Sequence, residues 1–178
     1  MSSYLIITAV GPDRPGLVDE LSARLAGRNL NIESSRMAVL GGEFAIILLA
    51  SGADADTAAA LADPRSLAGA TGLQLFVKPT AAPSTRVMPA SLPFRIVTAG
   101  MDHPGIVHEI SAVLHRFEVN IEALDTRVSP APVSGAPMFQ MEADLAVPAA
   151  VKIKRLREAL AELSDQLNMD IEFEPVEK

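Results

Sequence analysis

The stretch Gly11-Pro12-Asp13-Arg14-Pro15-Gly16 lies between an apolar run, Tyr4-Leu5-Ile6-Ile7-Thr8-Ala9-Val10, and a helix-like pattern that begins Leu17-Val18-Asp19-Glu20-Leu21. Alone it reads as a turn rich in proline and glycine. A near copy, Gly100-Met101-Asp102-His103-Pro104-Gly105, recurs in the same setting. Sliding the chain by 89 residues aligns 7–33 with 96–122 without a gap and makes 13 of the 27 pairs identical. Gly11/Gly100, Asp13/Asp102, Pro15/Pro104, Gly16/Gly105 and the run Asn31-Ile32-Glu33/Asn120-Ile121-Glu122 are among them. The chain is therefore an internal duplication, and its period far exceeds that of a solenoid repeat, so each copy is a domain.

Between the copies, residues 79–93 carry four prolines among fifteen residues and no apolar periodicity, the signature of a semi-extended linker. The reading is a first domain over 1–79, a Pro-rich linker over 80–92 and a second domain over 93–178. In the first, 4–10 is an apolar strand, and Leu17, Val18, Leu21 and Leu25 at helical spacing predict a helix over about 14–28. Residues 30–40 and 43–51 are β-type runs joined by Gly41-Gly42, a hairpin signal. An Ala-rich helix at 54–63 and a last strand at 73–77 complete the copy. In the second, strand 94–99 precedes a helix bearing Ile106, Val107, Ile110, Leu114 and Phe117. Strands 119–129 and 137–147 flank a Pro/Ser/Gly hairpin, followed by a helix at 149–167 and a strand at 169–174. The order βαββαβ, twice, predicts an α+β protein of two ferredoxin-like domains, each an antiparallel sheet with two helices on one face.

One strand departs from that pattern. Phe44-Ala45-Ile46-Ile47-Leu48-Leu49-Ala50 does not alternate apolar and polar residues, as a strand with one wet face does. The expectation is that this sheet packs against the other copy or another subunit; the alternative is one unusually apolar strand.

Composition narrows the functional classes. Net charge is −7, and the only basic cluster is Lys152-Ile153-Lys154-Arg155-Leu156-Arg157, which reads as a solvated helix face. Nucleic-acid affinity rests on clustered Lys and Arg, so no direct nucleic-acid contact is expected. There is no apolar run of membrane-spanning length, and Met1-Ser2-Ser3-Tyr4 does not open a signal peptide, so the expected setting is cytoplasmic and away from membranes. Zero cysteines exclude disulfides and thiolate metal sites. No enzyme constellation stands out either. His103, His108 and His115 make no recognisable metal motif, and Ser22 and Ser111 sit inside helices without an evident base. The chain reads as non-catalytic, with no cofactor and no metal.

A strand followed by Asp-Arg-Pro-Gly or Asp-His-Pro-Gly at a helix start, with Asn-Ile-Glu opening the next strand, resembles the ACT domain, a ferredoxin-like module that binds amino acids or other small metabolites. The resemblance covers both copies. The tandem pair, with its long hairpin in copy two, the Ala-Pro-Met-Phe-Gln-Met strand and the Leu156-Arg157-Glu158-Ala159-Leu160 helix, is similar to the glycine cleavage system transcriptional repressor family. That resemblance implies regulation without catalysis, in response to glycine, through a LysR-type activator of the glycine cleavage operon. It also implies a ligand site. The loop after the first strand of each copy, Asp13, Arg14, Pro15, Gly16 and Leu17 or Asp102, His103, Pro104, Gly105 and Ile106, supplies backbone N–H groups to a ligand carboxylate. Asn31 with Ile32, and Asn120 with Ile121, contact the ligand amino group or a neighbouring domain.

The residues themselves support a site and also offer ordinary readings. Glycine lets backbone approach a ligand, and the first helical turn carries unpaired donors that favour an anion. Pro15 and Pro104 suit that first turn. Asp13 and Asp102 are alternatively helix N-caps. Asn31 and Asn120 are alternatively turn residues with left-handed backbone. Arg14 and His103 are candidates for exposed loop positions. Two functions compete. One is a regulator that senses a small amino acid, glycine or serine, and modulates a transcriptional activator by protein contact, with domain pairing within the chain and homodimerisation. The other is a protein-interaction module without ligand binding, or an amino-acid-sensing regulatory subunit of a metabolic enzyme.

Overall fold

The computed structural model describes residues 2–83 and 90–176. The chain divides into two compact units, 1–87 and 88–178. In the first, strands β1 (Ser2–Pro12), β2 (Asn31–Leu40), β3 (Glu43–Ala53) and β4 (Gln74–Thr80) accompany helices α1 (Leu17–Ala26), α2 (Asp54–Ala62) and α3 (Pro64–Ala68). In the second, strands β5 (Ser91–Met101), β6 (Asn120–Pro130), β7 (Pro137–Pro148) and β8 (Asp170–Pro175) accompany helices α4 (Ile106–Arg116) and α5 (Ile153–Leu167). The sheets have the same antiparallel order, β2-β3-β1-β4 and β6-β7-β5-β8. This is the ferredoxin-like fold in tandem.

Each unit has its own core. Leu5, Ile7, Phe44 and Leu48 of the first sheet pack with Leu17, Leu21 and Leu25 of α1, Ala60 of α2 and Leu67 of α3. Phe94, Ile96, Met141 and Phe173 of the second pack with Ile106, Ile110 and Leu114 of α4 and Leu156, Leu160 and Leu163 of α5. The helices cover only one face of each sheet. On β3 the buried residues are Phe44, Ile46, Leu48 and Ala50, whereas Ala45 and Ile47 are exposed. The strand that fails to alternate in sequence thus alternates in burial, and its second apolar row lies open.

Several boundaries differ from the sequence reading. α1 begins at Leu17, not near residue 14, because Gly16 has φ of 94° and cannot continue a helix backwards. The helix expected at 54–63 is α2, and a second, unexpected helix follows it: Pro64 lacks an N–H to continue α2 and starts α3 instead, where the Asp63 carboxylate accepts from the Ser66 N–H at 3.2 Å. The last helix opens at Ile153, after a turn at 149–151 closed by Val151 N–H on Pro148 O at 2.9 Å. β4 runs to Thr80 and β5 starts at Ser91, so both strands extend into the stretch read as linker, of which residues 84–89 lie outside the described residues. Among the described residues no helix is long and apolar enough to cross a membrane.

Candidate functional site

The repeated turn uses its two glycines for different reasons. Gly11 and Gly100 sit where β1 and β5 run beside the chain entering the last strand. A Cβ on Gly100 would stand 2.5 Å from Met169 Cγ, and one on Gly11 would stand 3.2 Å from the Gly72 carbonyl oxygen. Gly16 and Gly105 have room instead. Nothing lies within 4 Å of a Cβ on Gly105, and only Glu20 Oε1, at 3.7 Å, does so on Gly16. What they supply is backbone conformation, with φ of 94° and 103°.

These glycines are themselves the N-caps of α1 and α4, and neither helix has a side-chain cap. Asp13 and Asp102, read as possible caps, are exposed and make no cap hydrogen bond. Their backbone N–H groups instead tie the loop to the neighbouring hairpin, Asp13 to Gly42 O at 2.9 Å and Asp102 to Pro137 O at 3.0 Å. Pro15 and Pro104 precede the caps and so lie outside the first turn. Glu20 N–H closes that turn on Gly16 O at 2.9 Å, and Glu109 N–H on Gly105 O at 3.0 Å. The amides of residues 17–19 and 106–108 precede any intrahelical acceptor and carry the positive end of the helix dipole. An open groove of about 330 Å3 beside α1 is bordered by Asp13, Arg14, Gly16, Asp19, Met37 and Phe44.

The two loops differ in charge chemistry. Arg14 chelates Glu20, with Nη2 to Oε2 at 2.8 Å, and that hydrogen bond holds the carboxyl below its ordinary range. His103 replaces the arginine, and its Nδ1 lies 3.2 Å from the Pro104 carbonyl oxygen instead of reaching Glu109. Leu17 and Ile106 are 2% exposed, so only their backbone can serve a ligand.

Asn31 and Asn120 open β2 and β6 and are not left-handed; that backbone belongs to Asn29 and Glu118, at φ of 55° and 56°. Glu33 occupies a β-bulge, where it accepts from Ser51 Oγ and from Asn31 Nδ2, bonds that lower its pKa in that order. In the second unit Asn120 faces Ala146, which has no hydroxyl to offer. Ile32 is 38% exposed, and Ile121 packs partly buried against its core.

The structure does not bring loop and asparagine together within a unit. Asn31 pairs with Ser51, which pairs with Tyr4, whereas the loop leaves from Pro12. Eight residue steps along β1, from Tyr4 to Pro12, separate these rows, roughly 26 Å.

Comparison with known proteins agrees with this architecture. Residues 3–78 match the model of the ACT domain. The chain is 32% identical to the glycine cleavage system transcriptional repressor of Escherichia coli over 166 residues, covering 93% of this chain and 86% of that protein. The Shigella flexneri repressor matches equally. The chain belongs to the glycine cleavage system transcriptional repressor family. It shares that family's regulatory character. A crystal structure of a protein of unknown function from Galdieria sulphuraria superposes with a TM-score of 0.83 at 29% identity, covering 99% of this chain and 100% of that one. A crystal structure assigned to a glycine cleavage system transcriptional repressor superposes at 0.72 over 100% of this chain and 99% of that one; at 20% identity it speaks for the fold.

Ser22 and Ser111 hydroxyls donate to Asp19 O and His108 O within their helices. His103, His108 and His115 are exposed, and no cluster of three metal-ligating side chains occurs among the described residues. The Arg14–Glu20 chelate was missed in sequence because a six-residue spacing bridges loop and helix rather than one helix face.

Proposed function

We propose that this chain is a regulator that senses a small amino acid, glycine or serine, and acts by protein contact on a LysR-type activator of glycine cleavage. The observation that carries the reading is the pair of N-cap glycines with positive φ and open space above them. An amino-acid carboxylate fits the outward amides of that first turn, as anions do at helix N-termini. The family relationship supports the regulatory half, and the net charge of −7 favours a protein partner over DNA.

The separation of Asn31 from the loop adds a condition. A ligand held by both must take its asparagine from another domain, laid antiparallel along the edge strand. Such a ligand would bind one assembly better than another and shift its population, which is what a signal requires.

The test is thermal melting of the full chain against an amino-acid panel, glycine and serine first. Stabilisation by one of them is expected in the wild type and is expected to be lost in Gly16→Ala or Gly105→Ala, each judged against its own unliganded melt. A panel in which no amino acid moves the wild-type midpoint defeats the sensing half. Pull-down of the purified activator, with and without the active amino acid, tests the partner half.

A further inference from the structure

The groove beside the first loop has a wall that the second unit does not reproduce. The helices leave the edge strand β2 uncovered, and all ten of its residues are exposed. Residues paired across a sheet share a face. Met37, paired with the buried Ile46, and Val39, paired with the buried Phe44, therefore stand on the helix side of the sheet with no helix over them. Met37 is 51% exposed and, with the half-exposed Val18 of α1, borders the groove of about 330 Å3 that Asp13, Gly16 and Asp19 also border. Strand register identifies the counterparts in the second unit. Ile46 pairs with Ala9, and Met141 with Thr98, 89 residues further on, so Thr126, which pairs with Met141, holds the place of Met37. By the same interval His108 holds the place of Asp19.

Three kinds of surface meet in this groove. The amides of residues 17–19 are donors without an intrahelical acceptor. The Asp13 and Asp19 carboxylates have no ion-pair partner among the described residues, unlike Glu20, which Arg14 holds. Met37 and Val18 are apolar, and the flexible thioether adapts to whatever lies against it. A carboxylate, an ammonium group and an apolar side chain are the parts of an α-amino acid that these surfaces match, in the mix of apolar wall and few polar groups that small-molecule sites show. We propose that the groove of the first unit takes an α-amino acid with an aliphatic or thioether side chain, the size of leucine or methionine, and that Met37 sets this specificity by lying against that side chain. Glycine leaves the apolar wall wet and most of the groove unfilled. Serine sets a hydroxyl against a thioether, which is only a weak acceptor. Thr126 can both donate to a hydroxyl and accept from one, so it suits the second unit to the small polar amino acid. Each copy of the repeat thus reads a different class of amino acid. The inference rests on the amino-acid sensing proposed above and assigns the side-chain class at the first loop.

Titration calorimetry of the full chain with leucine, methionine, glycine and serine tests it. Burial of the ligand's methylenes against Met37 is expected to make leucine or methionine bind about ten-fold more tightly than glycine. Met37→Thr, with native circular dichroism, is expected to lose that preference, and Met37→Leu to keep it. Ile47→Thr, at an equally exposed apolar residue on the opposite face of the sheet, is expected to keep it as well. If neither leucine nor methionine binds more tightly than glycine or serine, the proposal is overturned and amino-acid sensing still stands. A preference that survives Met37→Thr overturns it too, as does one lost equally in Ile47→Thr. A wild type that binds none of the four defeats the sensing reading itself, and this inference with it.

Discussion

Arg14 holds Glu20 through a two-pronged ion pair beside Gly16, whereas in the second unit His103 leaves Glu109 without that grip. A pH prediction follows with a definite sign. The folded pKa of Glu20 lies below its ordinary 4.5, chiefly because of the Arg14 hydrogen bond. A depressed carboxyl pKa contributes stability above the ordinary value and loses it as pH falls through the folded value. The pair is exposed, so its effect at neutral pH is small and weakened by salt. Glu20→Gln is expected to melt slightly below wild type at pH 7, with the gap closing below pH 4.5; thermal melts across pH 7 to 3 check this.

Gly16→Ala and Gly105→Ala are each expected to lose about 1–2 kcal/mol, the cost of a left-handed backbone for a residue with a Cβ. Asparagine at either position is expected to lose less, because it tolerates that conformation. Since no neighbour crowds Gly105, its cost is conformational alone. Urea unfolding of the four variants measures both the loss and its order.

Leu21 and Ile110 are 2% and 1% exposed in the two separate cores. Truncating either to alanine is expected to cost about 2–5 kcal/mol. Tyr4 is the sole tyrosine and the chain has no tryptophan, so its fluorescence reports the first unit. Leu21→Ala is expected to shift the Tyr4 transition and Ile110→Ala to leave it nearly in place, while circular dichroism detects both losses.

Arg95 bridges Glu142 and Asp144, and the hydrogen bond to Asp144 is the first cause of its raised pKa. Arg95→Leu leaves those acids beside Glu172 and Glu174 without compensation. The variant is expected to be less stable than wild type at low salt, with the difference narrowing toward 1 M, where charges are screened within about 3 Å. Melts over a salt series check the trend.

The duplication and the two βαββαβ orders were legible in the sequence, because repeated glycines, apolar spacing and hairpin signals are local and their periods differ for helix and strand. It also marked 44–50 as too apolar for a half-wet strand. Only the tertiary structure decided which rows share a face. Register turned that run into one buried row and one open row, and set Ile47 against the position of Glu142 in the other sheet. It placed the cap on Gly16 rather than Asp13, since capping depends on φ and side-chain direction, which residue type alone does not fix. It also moved Asn31 to the far end of the sheet from Gly16, because the helix between them carries the chain back along the length of the strands. A constant interval of fifteen residues recorded the connection in both copies, and only the fold could show that it spans a distance rather than closing one.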